Sequence, residues 1–148
     1  MLKQLLSSFT NLKTRSQTIE MSDAKTKKRQ QGDEAEALAF SYLKKQGLRL
    51  IEKNYHTRAG EVDLIMSDKN HPKTLIFIEV RYRKNRDFGG AAASVTPKKQ
   101  QRIIKAALAY QQQKAPQSSM RFDVIAIEGD NSDNTIELEW IKSAFDGF

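Results

Sequence analysis

At 148 residues the chain has room for one domain, long enough to bury a core without disulfides or structural metals. Its 39% hydrophobic and 29% charged residues are those of a soluble globular protein, and its apolar runs, such as Leu75 to Ile78, are far too short to cross a bilayer. With no cysteine and two histidines, disulfides and thiolate chemistry are excluded, a metal must be held mainly by carboxylates, which selects Mg²⁺ or Mn²⁺, and the formal charge of +7 favours a polyanionic partner.

The opening segment has Leu2, Leu5, Leu6 and Phe9 near its start, but Lys3, Gln4 and two serines break the apolar stretch, and no small-residue cleavage site follows. It does not read as a signal peptide, and a cytoplasmic protein with no membrane role is expected. Residues 1–27 are rich in Ser, Thr, Lys and Gln and end in a basic run, the composition of a loose basic arm preceding a domain over 28–148. Met21 is an alternative natural start.

From Asp33 to Gln46, Ala35, Leu38, Ala39, Tyr42 and Leu43 recur at helical spacing, and Gly47 supplies a left-handed stop. Leu48 to Tyr55 reads as a first strand, Ala59 and Gly60 as a turn, Glu61 to Met66 as a second strand, and Ser67 to Lys73 as a hairpin loop. Leu75 to Arg83 begins apolar on both faces, as a central strand does; Glu79, Arg81 and Arg83 then follow Leu75 and Phe77 on one face. A loop with Gly89 and Gly90 comes next. Thr96 and Pro97 make an N-cap and first-turn pair for a helix running to about Gln113, with Ile103, Ile104, Ala107 and Leu108 as its buried stripe. Arg121 to Ile127 and Ile136 to Ile141 complete the chain as strands separated by a turn over 128–134. A strand, a helix and another strand imply a parallel crossover, so the expected fold is α/β, a mixed sheet flanked by helices.

Two acids stand out. Asp63 lies within an apolar strand, with Val62 and Leu64 expected in the opposite layer, and Glu79 ends a central strand. An ionised carboxylate there is costly unless a cation or hydrogen-bond donors compensate, and two acids on adjacent strands can share one metal. A hard cation so held would polarise a phosphodiester, with Arg81 beside it to contact phosphate. Glu36 sits on the margin of the first helix's buried stripe, within reach of the acids or simply at the helix surface. The plain alternative for Asp63 and Glu79 is a structural ion pair with Arg81 or Arg83. Glu61 reads as solvent-facing rather than as a supporting ligand, and His56 and His71 as surface residues. Lys98, Lys99 and Arg102, at a helix N-terminus, are candidates for phosphate contact, as is Arg83. Tyr110 and Trp140 read as core.

Four runs together carry a family resemblance: Gly32-Asp33-Glu34-Ala35-Glu36 with Ala39, Tyr42 and Leu43; Gly60-Glu61-Val62-Asp63-Leu64-Ile65; Phe77-Ile78-Glu79-Val80-Arg81-Tyr82-Arg83; and Gly89-Gly90-Ala91-Ala92-Ala93-Ser94-Val95. From about Lys28 to its C-terminus the chain resembles the YraN-like family of largely uncharacterised bacterial proteins. The resemblance implies a restriction-endonuclease-like core of the PD-(D/E)xK type, similar to archaeal Holliday-junction resolvases. The motif's acids correspond to Asp63 and Glu79, and Glu36 matches the family's helix glutamate. The motif lysine falls at Arg81, a departure at one of the three central positions.

Three functions follow as expectations. The first is a Mg²⁺- or Mn²⁺-dependent endonuclease acting on DNA, including branched or damaged DNA, with Asp63, Glu79, Glu36 and Arg81 as its catalytic set. The second is a nucleic-acid-binding module that kept the fold and lost the lysine; the third is a protein-interaction scaffold with a vestigial site. Analogy with dimeric resolvases points to a homodimer.

Overall fold

A computed structural model describes residues 2–85, 90–130 and 134–147, with side chains from residue 23 onward. Gly89 and residues 131–133 of the expected turn lie outside the described residues. The chain divides into two compact units, residues 1–34 and 35–148. Helix α1 (Leu2–Lys45) contributes to both. In the first unit the described residues are all helical; the segment read as an arm contains no proline and, before Gly32, no glycine to interrupt a helix.

In the second unit, α1 residues 35–45 present Ala35, Ala39 and Leu43 as a buried stripe, and Gly47 ends the helix at φ +96°, a backbone state that L side chains resist. Strands β1 (Leu48–His56), β2 (Glu61–Asp68) and β3 (His71–Arg83) follow, then a one-turn helix α2 (Gly90–Ala93), helix α3 (Pro97–Lys114), and strands β4 (Ser119–Glu128) and β5 (Glu137–Phe145). Among the described residues these form one five-stranded sheet in the order β1-β2-β3-β4-β5. Neighbours are antiparallel except β3 and β4, which run parallel across the α3 crossover. The protein is therefore α/β, a mixed sheet flanked by helices, as a restriction-endonuclease-like core requires.

The expected hairpin loop over 67–73 is tighter than its composition suggested. Asp68 Oδ1 accepts the Asn70 N–H at 3.0 Å, so the side chain closes the turn within two residues and both strands extend toward it. Sequence also passed over α2, whose four residues are too few for a helical period to show. The capping of α3 matches its sequence: Thr96 Oγ1 accepts the Lys99 N–H at 3.3 Å and Pro97 occupies the first turn.

The sheet separates two cores. On one side Leu75 and Phe77 of β3 pack with Ile103, Ile104 and Ala107 of α3 and with Phe122 of β4. On the other, Ile76, Ile78 and Val80 pack with Ala35, Ala39 and Leu43 of α1 and with Ile125 and Ile127. Phe77, Ile76 and Ile78 are completely buried, each worth roughly 1.5–3 kcal/mol of transfer free energy. Tyr110 lies in the first core, edge-on to Tyr55 and Phe77, and Trp140 packs edge-on to Tyr42 at the second, so both serve as core.

One buried charge belongs to this architecture. Asp123, beside Ile78 in the parallel register, is fully buried. Its carboxylate accepts two bonds from Arg121 (2.9 and 2.7 Å), one from Trp140 Nε1 (2.9 Å) and one from the Ser143 N–H (3.0 Å). Four donors saturate it, which fixes β5 on β4 and leaves no lone pair for a ligand. Among the described residues no helix is long and apolar enough to cross a membrane.

Candidate metal and nucleic-acid site

Alternation along β3 puts Glu79 and Arg81 on the α3 side of the sheet, where β3 carries Leu75 and Phe77. Glu79 is 5% exposed. Its neighbour strand is irregular at this point. The β2–β3 ladder begins at Leu64↔Ile78, and one residue earlier the Asp63 side chain takes over the backbone's part: Asp63 Oδ2 accepts the Val80 N–H at 2.8 Å. The same irregularity corrects the expectation that Val62 and Leu64 share a layer. Val62 joins the α3-side core and Leu64 the α1-side core, because β2 has left regular pairing with β3 between them.

The two acids are therefore held together. Burial, and then the adjacent Asp63 carboxylate, push Glu79 up to about 8 from its ordinary 4.5, and the Glu79 carboxyl hydrogen-bonds Asp63. Two cations oppose this rise: Lys99 Nζ lies 3.6 Å and Arg81 Nη1 3.8 Å from Glu79 Oε1. Arg81 is anchored at its other end, where Nε donates to Ser94 Oγ at 2.8 Å and Ser94 Oγ donates to the Ala91 carbonyl. The α2 segment thus braces the guanidinium. Gly90, at φ +77°, begins that segment, and the Ala91 N–H donates to Glu128 Oε1 at 2.8 Å, tying it to β4.

Lys99 arrives from α3, whose N-terminal turns press against the turn before β2. Gly60 permits this contact: a Cβ there would lie 1.9 Å from the Arg102 carbonyl oxygen. Thr57 secures the turn, its hydroxyl donating to the Gly60 carbonyl at 3.0 Å and accepting the N–H groups of Ala59 and Gly60.

The structure brings Asp63, Glu79, Arg81 and Lys99 together. No three acidic or imidazole side chains among the described residues form a metal-holding group. Glu36 is half-buried on α1, next to Ala35 on the opposite face of β3 from α3. Lys98, Arg83 and Arg102 are exposed, the first and last on the turns that bound the site. Glu61 is solvent-facing and pairs with His56 (Oε2 to Nδ1, 3.0 Å) across the hairpin.

Two contributors were not legible as such. Lys99 was read only as a phosphate contact, and its meeting with Glu79 depends on how α3 crosses the sheet. Ser94 lay in an alanine-rich run with nothing in its spacing to mark it. A pair of touching carboxyls, that of Glu79 buried and pushed up to about 8, fits a divalent cation: a charge of +2 would offset their repulsion and the cost of burying Glu79 together.

Comparison with known proteins gives a family and no activity. The family described as "Uncharacterised protein family UPF0102" matches residues 35–127. A UPF0102 protein of Pseudomonas savastanoi pv. phaseolicola is 47% identical over 124 residues, covering 82% of this chain and 98% of that relative. One from Legionella pneumophila (strain Corby) is 47% identical over 122 residues, covering 79% and 95%. One from Herminiimonas arsenicoxydans is 46% identical over 115 residues, covering 78% and 86%.

Proposed function

The chain belongs to the UPF0102, or YraN, family, and from that premise we propose that it is a metal-dependent endonuclease-like protein that binds DNA and hydrolyses its phosphodiesters, branched or damaged DNA included. The observation that carries the reading is the Asp63–Glu79 pair: two carboxyls in contact from adjacent strands, with Lys99 and Arg81 beside Glu79. The Val80 N–H accounts for one oxygen of Asp63 and leaves the contact between the two carboxyls unexplained, whereas Asp123 shows what a wholly structural carboxylate looks like here, saturated by four donors.

Asp63 and Glu79 would hold Mg²⁺ or Mn²⁺, which when bound supplies Lewis-acid polarisation of the phosphodiester and offsets charge on the leaving oxygen. The protein's own part is positional. Asp63 is fixed by the Val80 N–H, and Glu79 by its place on the central strand. Arg81, braced by Ser94, holds positive charge beside Glu79. Exposed Lys98, Arg102 and Arg83 would steer and seat the phosphate backbone without reading bases.

The second reading is a non-catalytic nucleic-acid-binding module, and one observation favours it: arginine stands at 81, where the resemblance sets the motif lysine. The two part in one assay, with labelled duplex, single-stranded and four-way-junction DNA incubated with Mg²⁺ or Mn²⁺ and with wild type, Asp63→Ala and Arg81→Lys. Cleavage by wild type that Asp63→Ala abolishes supports the endonuclease. Salt-sensitive binding with no cleavage by any of the three supports the module, and sedimentation of the same samples tests the homodimer that analogy suggests.

A further inference from the structure

The two cations beside Glu79 are not equivalent. Arg81 is committed at both ends of its guanidinium, with Nε on Ser94 Oγ at 2.8 Å and Nη1 toward Glu79 at 3.8 Å, and its side chain is 19% exposed. Lys99 is 36% exposed and, among the described residues, its ammonium meets only Glu79, at 3.6 Å. Its backbone is fixed by the Thr96 cap, while four methylene groups let the ammonium move over the carboxyl pair. It also stands in the first turn of α3, where the helix dipole favours an incoming anion and the turn carries no acidic residue.

We infer that Lys99, from helix α3, supplies the catalytic cation that a motif lysine at position 81 would otherwise supply, while Arg81 serves as a brace between Glu79 and Ser94. The inference rests on the endonuclease reading. In that hydrolysis the oxygen of a water forms a bond to phosphorus as the bond from phosphorus to the leaving sugar oxygen breaks. The water gives up one proton to solvent and the leaving oxygen takes one up, so nothing is oxidised or reduced. The Lys99 ammonium donates hydrogen bonds to the attacking oxygen and to a phosphoryl oxygen, orienting the first and offsetting the charge that grows on the second. A residue on a helix can do this work for a strand position because both side chains converge on one Glu79 oxygen, Oε1.

The test uses the full-length protein, labelled four-way-junction and duplex DNA with saturating Mg²⁺, and Mn²⁺ binding by calorimetry as a readout independent of cleavage. Lys99→Met is expected to slow cleavage about 100-fold, the scale of one lost transition-state donor. It is expected to bind Mn²⁺ at least as tightly as wild type, since a cation facing the metal has been removed. Lys99→Arg, which keeps charge and donors, is expected to retain more cleavage than Lys99→Met. Cleavage by Lys99→Met within about threefold of wild type overturns the inference while leaving the endonuclease reading intact. Loss of Mn²⁺ binding in Lys99→Met also overturns it, because Lys99 would then organise the carboxyls and not the reaction. Wild type that fails to cleave, and so matches Asp63→Asn, removes the endonuclease reading and the inference with it.

Discussion

Asp63 and Val80 are joined by a side chain where the sheet would ordinarily use a main chain: Asp63 Oδ2 accepts the Val80 N–H at 2.8 Å, one residue beyond the end of the β2–β3 ladder. The bond aims the carboxyl at Glu79 and satisfies a donor that departure of β2 would leave bare.

That double duty separates two substitutions. At pH 6, Asp63→Ala leaves the buried Val80 N–H without its acceptor and is expected to cost about 1–3 kcal/mol. Asp63→Asn keeps an acceptor oxygen and is expected to melt close to wild type, although it forfeits the negative charge a metal needs. Thermal denaturation of the two variants beside wild type checks the order.

Glu79 makes stability depend on pH in an unusual direction for a carboxylate. Burial first, and Asp63 second, raise it to about 8 from 4.5. Below about 4.5 folded and unfolded chains both hold the proton, and the group contributes nothing. Between 4.5 and about 8 the unfolded chain ionises while the folded protein retains its proton, so the folded state binds more protons and stability falls as pH rises. Glu79→Gln escapes this loss. Its melting temperature is expected to exceed that of wild type by a margin that widens from pH 5 to pH 8.5 in metal-free buffer, and a margin that does not change with pH would contradict the assignment.

Asp123 illustrates the opposite kind of buried acid. With Arg121, Trp140 and the Ser143 N–H all donating to it, Asp123→Ala strands three partners and is expected to cost about 3–5 kcal/mol, read by urea denaturation, without altering divalent-metal binding. Impaired metal binding in a folded Asp123→Ala protein would be unexpected.

Gly60 is required by proximity. Its missing Cβ makes space for the Arg102 carbonyl, at 1.9 Å from where that carbon would stand. Gly60→Ala must push the start of α3 away from the β1–β2 turn, a shift expected to destabilise the protein by about 1–3 kcal/mol and to weaken DNA binding by displacing Lys98 and Arg102. Chemical denaturation and a binding titration check the two effects separately.

Much of this arrangement is legible in the residues. The double-faced apolar start of β3 announced a central strand, the Thr96-Pro97 pair announced α3, and the strand–helix–strand order announced the one parallel pairing in the sheet. Asp63 and Glu79 were conspicuous because charge interrupts apolar strands. What could not be read was relative placement across the sheet. Helical periodicity gives the stripe of Ala35, Ala39 and Leu43 but cannot say which face of the sheet it covers, and it covers the face opposite α3. Lys99 looked like any basic residue at a helix start until the crossover set it over Glu79. The irregularity at Asp63 was invisible as well, since alternation assumes a strand that stays paired.

The most direct test of the Asp63–Glu79 pair as a divalent-cation site is a calorimetric titration of metal-free protein with Mn²⁺ at pH 7, in two buffers of different ionisation enthalpy. The expected result is binding by wild type with release of a proton, because Glu79 must ionise to take the cation, and no binding by Asp63→Asn. Wild type that binds no Mn²⁺, or Asp63→Asn that binds it as wild type does, would contradict the account.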